Sequence, residues 1–199
     1  MPEVYLAPSV RHFNQGFGTY GTEEERMNLI ADLVELELVR NGLSVARNDP
    51  RFDLTATVAE GNASGADIYV ALRSVSRPFG ERGSRVYYYR SGSNGQRLAE
   101  EISAFLAQVT PTEDEGPREG ASAFGGLGYY ELRKTRMPAV IIEIGNHNDP
   151  MDADFIVANS FEIAVAIAKG ILAYFALPYT PLSEEEATRL QNEYNNVYL

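Results

Sequence analysis

Apolar and polar positions along the chain follow two periods, and each change of period marks a new element. Apolar runs of strand character occur at Glu3–Ala7, Leu43–Arg47, Asp67–Leu72, Ser84–Tyr89, Tyr129–Arg133 and Pro138–Ile144, the last nearly all apolar. Met27, Ile30, Ala31, Val34 and Leu38 recur at helical spacing. They follow Thr22-Glu23-Glu24-Glu25, which has capping-box form, and Gly42 is placed to close the helix. Further helices are predicted over Gly95–Val109, Asp152–Ala158 and Ser160–Phe175, with a weaker one over Leu54–Ala63. Two stretches keep neither period: the Gly-rich loop Pro8–Gly21, and Thr110–Gly126, which reads as an ordered loop or a mobile flap.

Strands alternating with helices predict an α/β fold. The expectation is a single domain, with a mostly parallel twisted sheet and helices on both faces. This domain is expected to cover residues 1–177. Leu177-Pro178-Tyr179-Thr180-Pro181 breaks the pattern, and residues 178–199 read as a C-terminal appendage. Ser183-Glu184-Glu185-Glu186 starts a short polar helix there, a candidate docking element.

Composition narrows the chemistry. The 199 residues carry 17 basic and 28 acidic side chains, a net charge of −11, which excludes a fold-wide cationic footprint for nucleic acid or an anionic membrane. No apolar run approaches membrane-spanning length, so no membrane insertion is expected. The absence of cysteine removes disulfides, thiolate metal sites and cysteine nucleophiles. His12 and His147 are the two histidines, so a metal site must combine them with carboxylates.

Glu143 ends the most apolar strand. In open α/β sheets ligands bind at the carboxyl ends of strands. A carboxylate there is either a structural ion pair or a general acid/base with a raised pKa. Glu24 shares a helix face with Met27, Ala31, Val34 and Leu38, and should face the sheet. An acid in a first turn is also explained by the helix dipole alone. His12 stands in the loop after the first strand, either as a ligand or as a plain surface residue. His147 reads as a residue that ties down its loop by hydrogen bonding, with ligation as the alternative. Arg73, Arg77, Arg82, Arg85 and Arg90 fall within 18 residues that contain one acid, Glu81. Such a cluster suits carboxylate recognition or pairing with the chain's own acids. Gly16-Phe17-Gly18-Thr19-Tyr20-Gly21 matches G-x-G-x-x-G, but eight residues separate it from the strand, so nucleotide binding is a minor alternative.

Several stretches carry a family resemblance. They are Val4-Tyr5-Leu6-Ala7-Pro8-Ser9, Thr22 to Asp32, Arg47-Asn48-Asp49-Pro50, Ala66 to Leu72 and Glu131 to Gly145. In order, from about residue 3 to Phe175, the chain resembles the zinc-dependent N-acetylmuramoyl-L-alanine amidases, particularly the branch of sporulating and gut clostridia. The resemblance implies an amidase/phosphorylase-like fold and hydrolysis of the amide between the muramic lactyl group and L-alanine of peptidoglycan. It also implies a Zn2+ ion held by two histidines and a glutamate, with a second glutamate as acid/base. Glu24 matches the ligand glutamate, Glu143 the catalytic one, and His12 falls near the first histidine.

The family's second histidine stands in His-Ser-Asn-Ala, where this chain reads Arg73-Ser74-Val75-Ser76. A guanidinium has no lone pair for a metal. Two readings stay open. One is a working zinc amidase with a substitute ligand such as His147. The other is a degenerate amidase without cofactor, in which Arg73 pairs with Glu24 or Glu143. In that second reading Arg73, Arg77 and Arg85 grip stem-peptide carboxylates, and the partner is a peptidoglycan fragment or a protein. With no signal peptide visible, the expectation is cytoplasmic synthesis with action at the wall after lysis or export, or origin in a larger chain.

Overall fold

The computed structural model describes residues 1–111, 116–183, 185–186 and 188–190. The strands β1 (Glu3–Pro8), β2 (Ser44–Arg47), β3 (Ile68–Val75), β4 (Arg85–Tyr88), β5 (Pro117–Glu119) and β6 (Ala139–Asn146) form one sheet, in the order β2-β1-β3-β6-β4-β5. β2, β1, β3 and β6 are mutually parallel, while β4 runs antiparallel to β6 and carries β5 as a short edge strand. The mostly parallel α/β sheet expected from the alternation is therefore present.

Side chains alternate between sheet faces. On one face Val4, Leu6, Val70, Leu72, Val140, Ile142 and Ile144 meet an apolar layer. That layer comes from α1 (Glu23–Arg40), α3 (Asn94–Leu106), α6 (Pro150–Ala158) and α7 (Ser160–Tyr174). The packing is tight enough that a Cβ at Gly170 would stand 2.5 Å from the Ile102 Cα, so α7 approaches α3 only as glycine. The other face presents Tyr5, Ala7, Tyr69, Ala71 and Ile141 to two smaller helices, α2 (Leu54–Ser64) and α5 (Tyr130–Lys134). Arg73 and Glu143 continue this second face toward the carboxyl edge of the sheet.

Three local expectations change. Tyr129–Arg133 is not a strand: Tyr130–Lys134 is the helix α5, with neighbouring Glu131 and Leu132 both buried. Tyrosine favours strands only where a pleated neighbour exists, and here the sheet face needs a cover instead. Thr110–Gly126 is not all loop, because Pro117–Glu119 pairs with β4 and a single turn, α4 (Ala123–Gly126), follows. The acid buried in the first turn of α1 is Glu23, fully enclosed, and not Glu24. The helix starts with its capping box intact, Thr22 and Glu25 bonding reciprocally, and that register turns Glu24 to the rim.

Beyond α7 the chain folds back onto α1. The Tyr179 hydroxyl donates to Glu37 Oε2 at 2.7 Å, and Arg40 and Lys169 stand over its ring. Ser183 and Glu186 make the expected capping box, while residues 184, 187 and 191–199 of that polar segment lie outside the described residues. Among the described residues no single helix is long and apolar enough to cross a membrane.

Candidate functional site

The carboxyl ends of β1, β3 and β6 bring most of the candidate residues to one edge of the sheet. Glu143 lies opposite Arg73 on β3 and opposite Arg85 on β4. Its partner is neither of these: Arg77 Nη2 donates to Glu143 Oε2 at 2.5 Å, and both side chains are largely buried. Arg77 sits in the loop after β3, and that loop is fixed by side chains from the far end of β6. Asn146 Nδ2 donates to the carbonyls of Arg77, Pro78 and Glu81, while its Oδ1 accepts from the Arg77 amide. Asp149 and Asp152 accept from the amides of Gly80 and Gly83. Tyr129 stands close by; burial first, then the Glu143 charge, pushes its phenol above the usual range.

Arg73 turns away from both expected partners. Its Nη2 donates to Glu131 Oε1 at 2.7 Å, and its Nη1 donates to the carbonyls of Ala7 and Leu72. Tyr69 also donates to Glu131 Oε1, at 2.8 Å, and burial, with Glu131 next, pushes the Tyr69 phenol up. The expected pairing of Arg73 with Glu24 or Glu143 is therefore replaced by a pairing with Glu131. The reason lies in α5, which places a buried carboxylate over the second sheet face, where a long side chain on β3 reaches it. No sequence signal marks Glu131, because its segment reads as a strand. Asn146, Asp149 and Asp152 gave no sequence signal beyond ordinary turn residues.

His12 and Glu24 do come together: His12 Nδ1 is 3.8 Å from Glu24 Oε2, with the imidazole exposed and the carboxylate partly so. His147 behaves as the tie of its loop. It is buried, its Nδ1 is 2.8 Å from Ser74 Oγ, and Ser74 Oγ accepts from the Tyr20 hydroxyl at 2.7 Å. Burial lowers the His147 pKa, so the neutral imidazole is the stable form in this setting. The glycine-rich loop is closed by its own contacts. Gly16 packs where a Cβ would collide with the Tyr20 ring, and its amide donates to the Gly21 carbonyl. Gly18 and Gly21 adopt positive φ. Three acids, Glu23 to Glu25, then occupy the first turn of α1, which disfavours a phosphate there.

A zinc ion with three protein ligands does not fit this donor set. His12 and Glu24 offer two donors, Arg73 nearby on the sheet edge is a guanidinium paired with Glu131 and has no lone pair to give, and His147 is committed to Ser74. Among the described residues no three His, Asp or Glu side chains are grouped to hold a metal ion.

The sequence is matched by the N-acetylmuramoyl-L-alanine amidase family model over residues 12–173. It is 28% identical over 163 residues to the uncharacterized protein YqiI of Bacillus subtilis, covering 78% of this chain and 76% of that one. It is also 28% identical over 180 residues to the probable cell wall amidase LytH of Staphylococcus saprophyticus, covering 87% of this chain and 58% of LytH. In fold it is similar to the amidase AmiC2 of Nostoc punctiforme, with a TM-score of 0.75, 23% identity, and coverage of 88% of this chain and 97% of that one. The catalytic domain of CwlV from Bacillus (Paenibacillus) polymyxa gives a TM-score of 0.74 at 23% identity, covering 89% of this chain and all of that one. The chain belongs to the N-acetylmuramoyl-L-alanine amidase family.

Proposed function

We propose that this chain is a peptidoglycan-binding member of the amidase family in which zinc-dependent hydrolysis has given way to recognition. One observation carries the reading: Arg73 stands at the position matching the second ligand histidine and is locked onto Glu131. Removing one partner of a buried ion pair is costly, so Arg73 is held in place by the fold itself. Glu143, which the family resemblance matches to the catalytic glutamate, is likewise paired, here with Arg77, and both side chains are largely buried. What remains is a groove edge on which Arg73 and Arg77 stand with Glu131 and Glu143, and Arg85 lies opposite Glu143 on the neighbouring strand. Arg77 Nη1 carries no hydrogen-bond partner among the described residues. In a chain of net charge −11, this edge gathers guanidinium groups that suit stem-peptide carboxylates. The place of action that follows is the cell wall. Kinship to the branch of sporulating clostridia rests on the stretches that carry the family resemblance.

The second reading, a working zinc amidase, is favoured by the adjacency of His12 and Glu24 and needs a third ligand brought in by rearrangement. Incubation with purified sacculi, with and without added zinc, separates the two. Binding is scored by cosedimentation, and cleavage by newly released amino groups of alanine. The proposal expects cosedimentation without release under either condition. Zinc-dependent release that Glu143→Gln abolishes would establish the second reading in its place.

A further inference from the structure

The helical layer over the first sheet face leaves a furrow open to solvent that shares no residue with the groove edge. α3 and α7 run antiparallel, Gly170 packing on Ile102 while Phe105 and Val109 lie toward Phe161. The furrow between them has a volume of about 220 Å³. Phe105, Val109, Phe161 and Val165, all half-buried, give it an apolar lining, and Glu162 and Lys169 stand on its α7 side.

The spacing of these two charges makes the surface self-complementary. Glu162 and Lys169 are seven residues apart in α7, so they share one helix face, two turns or about 10 Å apart along the axis. Among the described residues neither takes part in an ion pair, and the Lys169 Nζ lies 4.9 Å from the Tyr179 ring centroid. A two-fold axis over the peptide between Val165 and Ala166 lays α7 of one copy antiparallel to α7 of a second. Each Glu162 then faces Lys169 of the other copy. A parallel arrangement sets like charges together, and a partner of one sign answers only one end of the furrow. A net charge of −11 opposes indiscriminate self-association, whereas here one acid meets one base on each side of the axis.

We propose that this furrow is the contact surface of a symmetric homodimer, in which α7 of each copy lies along the α3–α7 furrow of the other. The apolar side chains supply the burial, and the two Glu162–Lys169 pairs fix direction and register. The dimer stands whatever the groove edge binds.

Sedimentation velocity on the full chain over about 1 to 200 µM tests it. The expected result is a monomer–dimer equilibrium with a dissociation constant of about 10 µM. Glu162→Lys and Lys169→Glu each place two like-charge pairs in the homodimer, and each should weaken it at least about tenfold. Mixing the two variants in equal amounts should restore the dimer, because every pair across the axis is again acid to base. The double variant Glu162→Lys with Lys169→Glu should dimerise as wild type does. If Lys169→Glu unfolds on leaving the Tyr179 ring, Val165→Arg takes its place, and a folded monomer is expected. A wild-type chain that stays monomeric over this range would overturn the proposal. So would single variants that dimerise unchanged, or a mixture or double variant that stays monomeric.

Discussion

The two faces of the sheet are held by different physics. Under α1, α3, α6 and α7 the buried strand residues are apolar except for Ser74 and Asn146 at the carboxyl edge, and burial of aliphatic area does most of the work. Under α2 and α5 the buried layer is laced with titratable groups: Tyr5 with Glu60, Tyr69 and Arg73 with Glu131, and Arg77 with Glu143. On the first face the cost of a change scales with volume. On the second it depends on whether the partner goes too. At the edge of the second face Arg73 meets a buried carboxylate, Glu131, instead of a void.

The largest effect expected is for Arg77→Ala, which leaves Glu143 buried without its cation and should cost about 4 kcal/mol in urea unfolding. The double change Arg77→Met with Glu143→Leu should recover most of that loss, because the penalty lies in the unpaired charge. A double variant no more stable than the single would break the contrast between the faces. On the apolar face, Ile142→Ala should cost about 3 kcal/mol and Ile142→Val about 1 kcal/mol, following volume alone. Tyr69→Phe removes one of two donors to Glu131 and should cost about 1 kcal/mol.

The smallest effect is a pH dependence at the edge between the faces. Burial depresses the folded pKa of His147 below its ordinary value of 6.5. The unfolded chain therefore binds the proton more readily, and stability falls as the pH drops below about 6.5. Unfolding of wild type and His147→Gln between pH 7.5 and 5 should show a difference in stability that narrows toward acid. A constant difference across that range would remove His147 as the cause.

The sequence made much of this architecture readable, because the first face speaks in periodicity. The stripe of Met27, Ile30, Ala31, Val34 and Leu38, the capping box at Thr22 and the apolar run before Glu143 all became the elements they predict. The second face was harder, since its contacts join residues far apart in the chain. Arg73 to Glu131 spans 58 positions and Arg77 to Glu143 spans 66. No local pattern reports a pairing across such a distance. The sequence offers Arg73 to Glu24 or Glu143, whereas Arg73 pairs with Glu131 and Arg77 with Glu143. The segment that carries Glu131 has strand periodicity, and only its folding as a helix brings the carboxylate over the sheet. Helical spacing puts Glu24 on the buried stripe, one position away from the residue that is enclosed, Glu23.

The central claim, that Arg73 has closed the metal site, is tested most directly by zinc stoichiometry. Wild type and Arg73→His are dialysed against micromolar zinc and then zinc-free buffer, and bound metal is measured by elemental analysis. The account predicts no retained zinc in wild type and up to one ion per chain in Arg73→His, lost again on Glu24→Gln or His12→Ala. One zinc retained by the wild-type chain, dependent on Glu24, would contradict it.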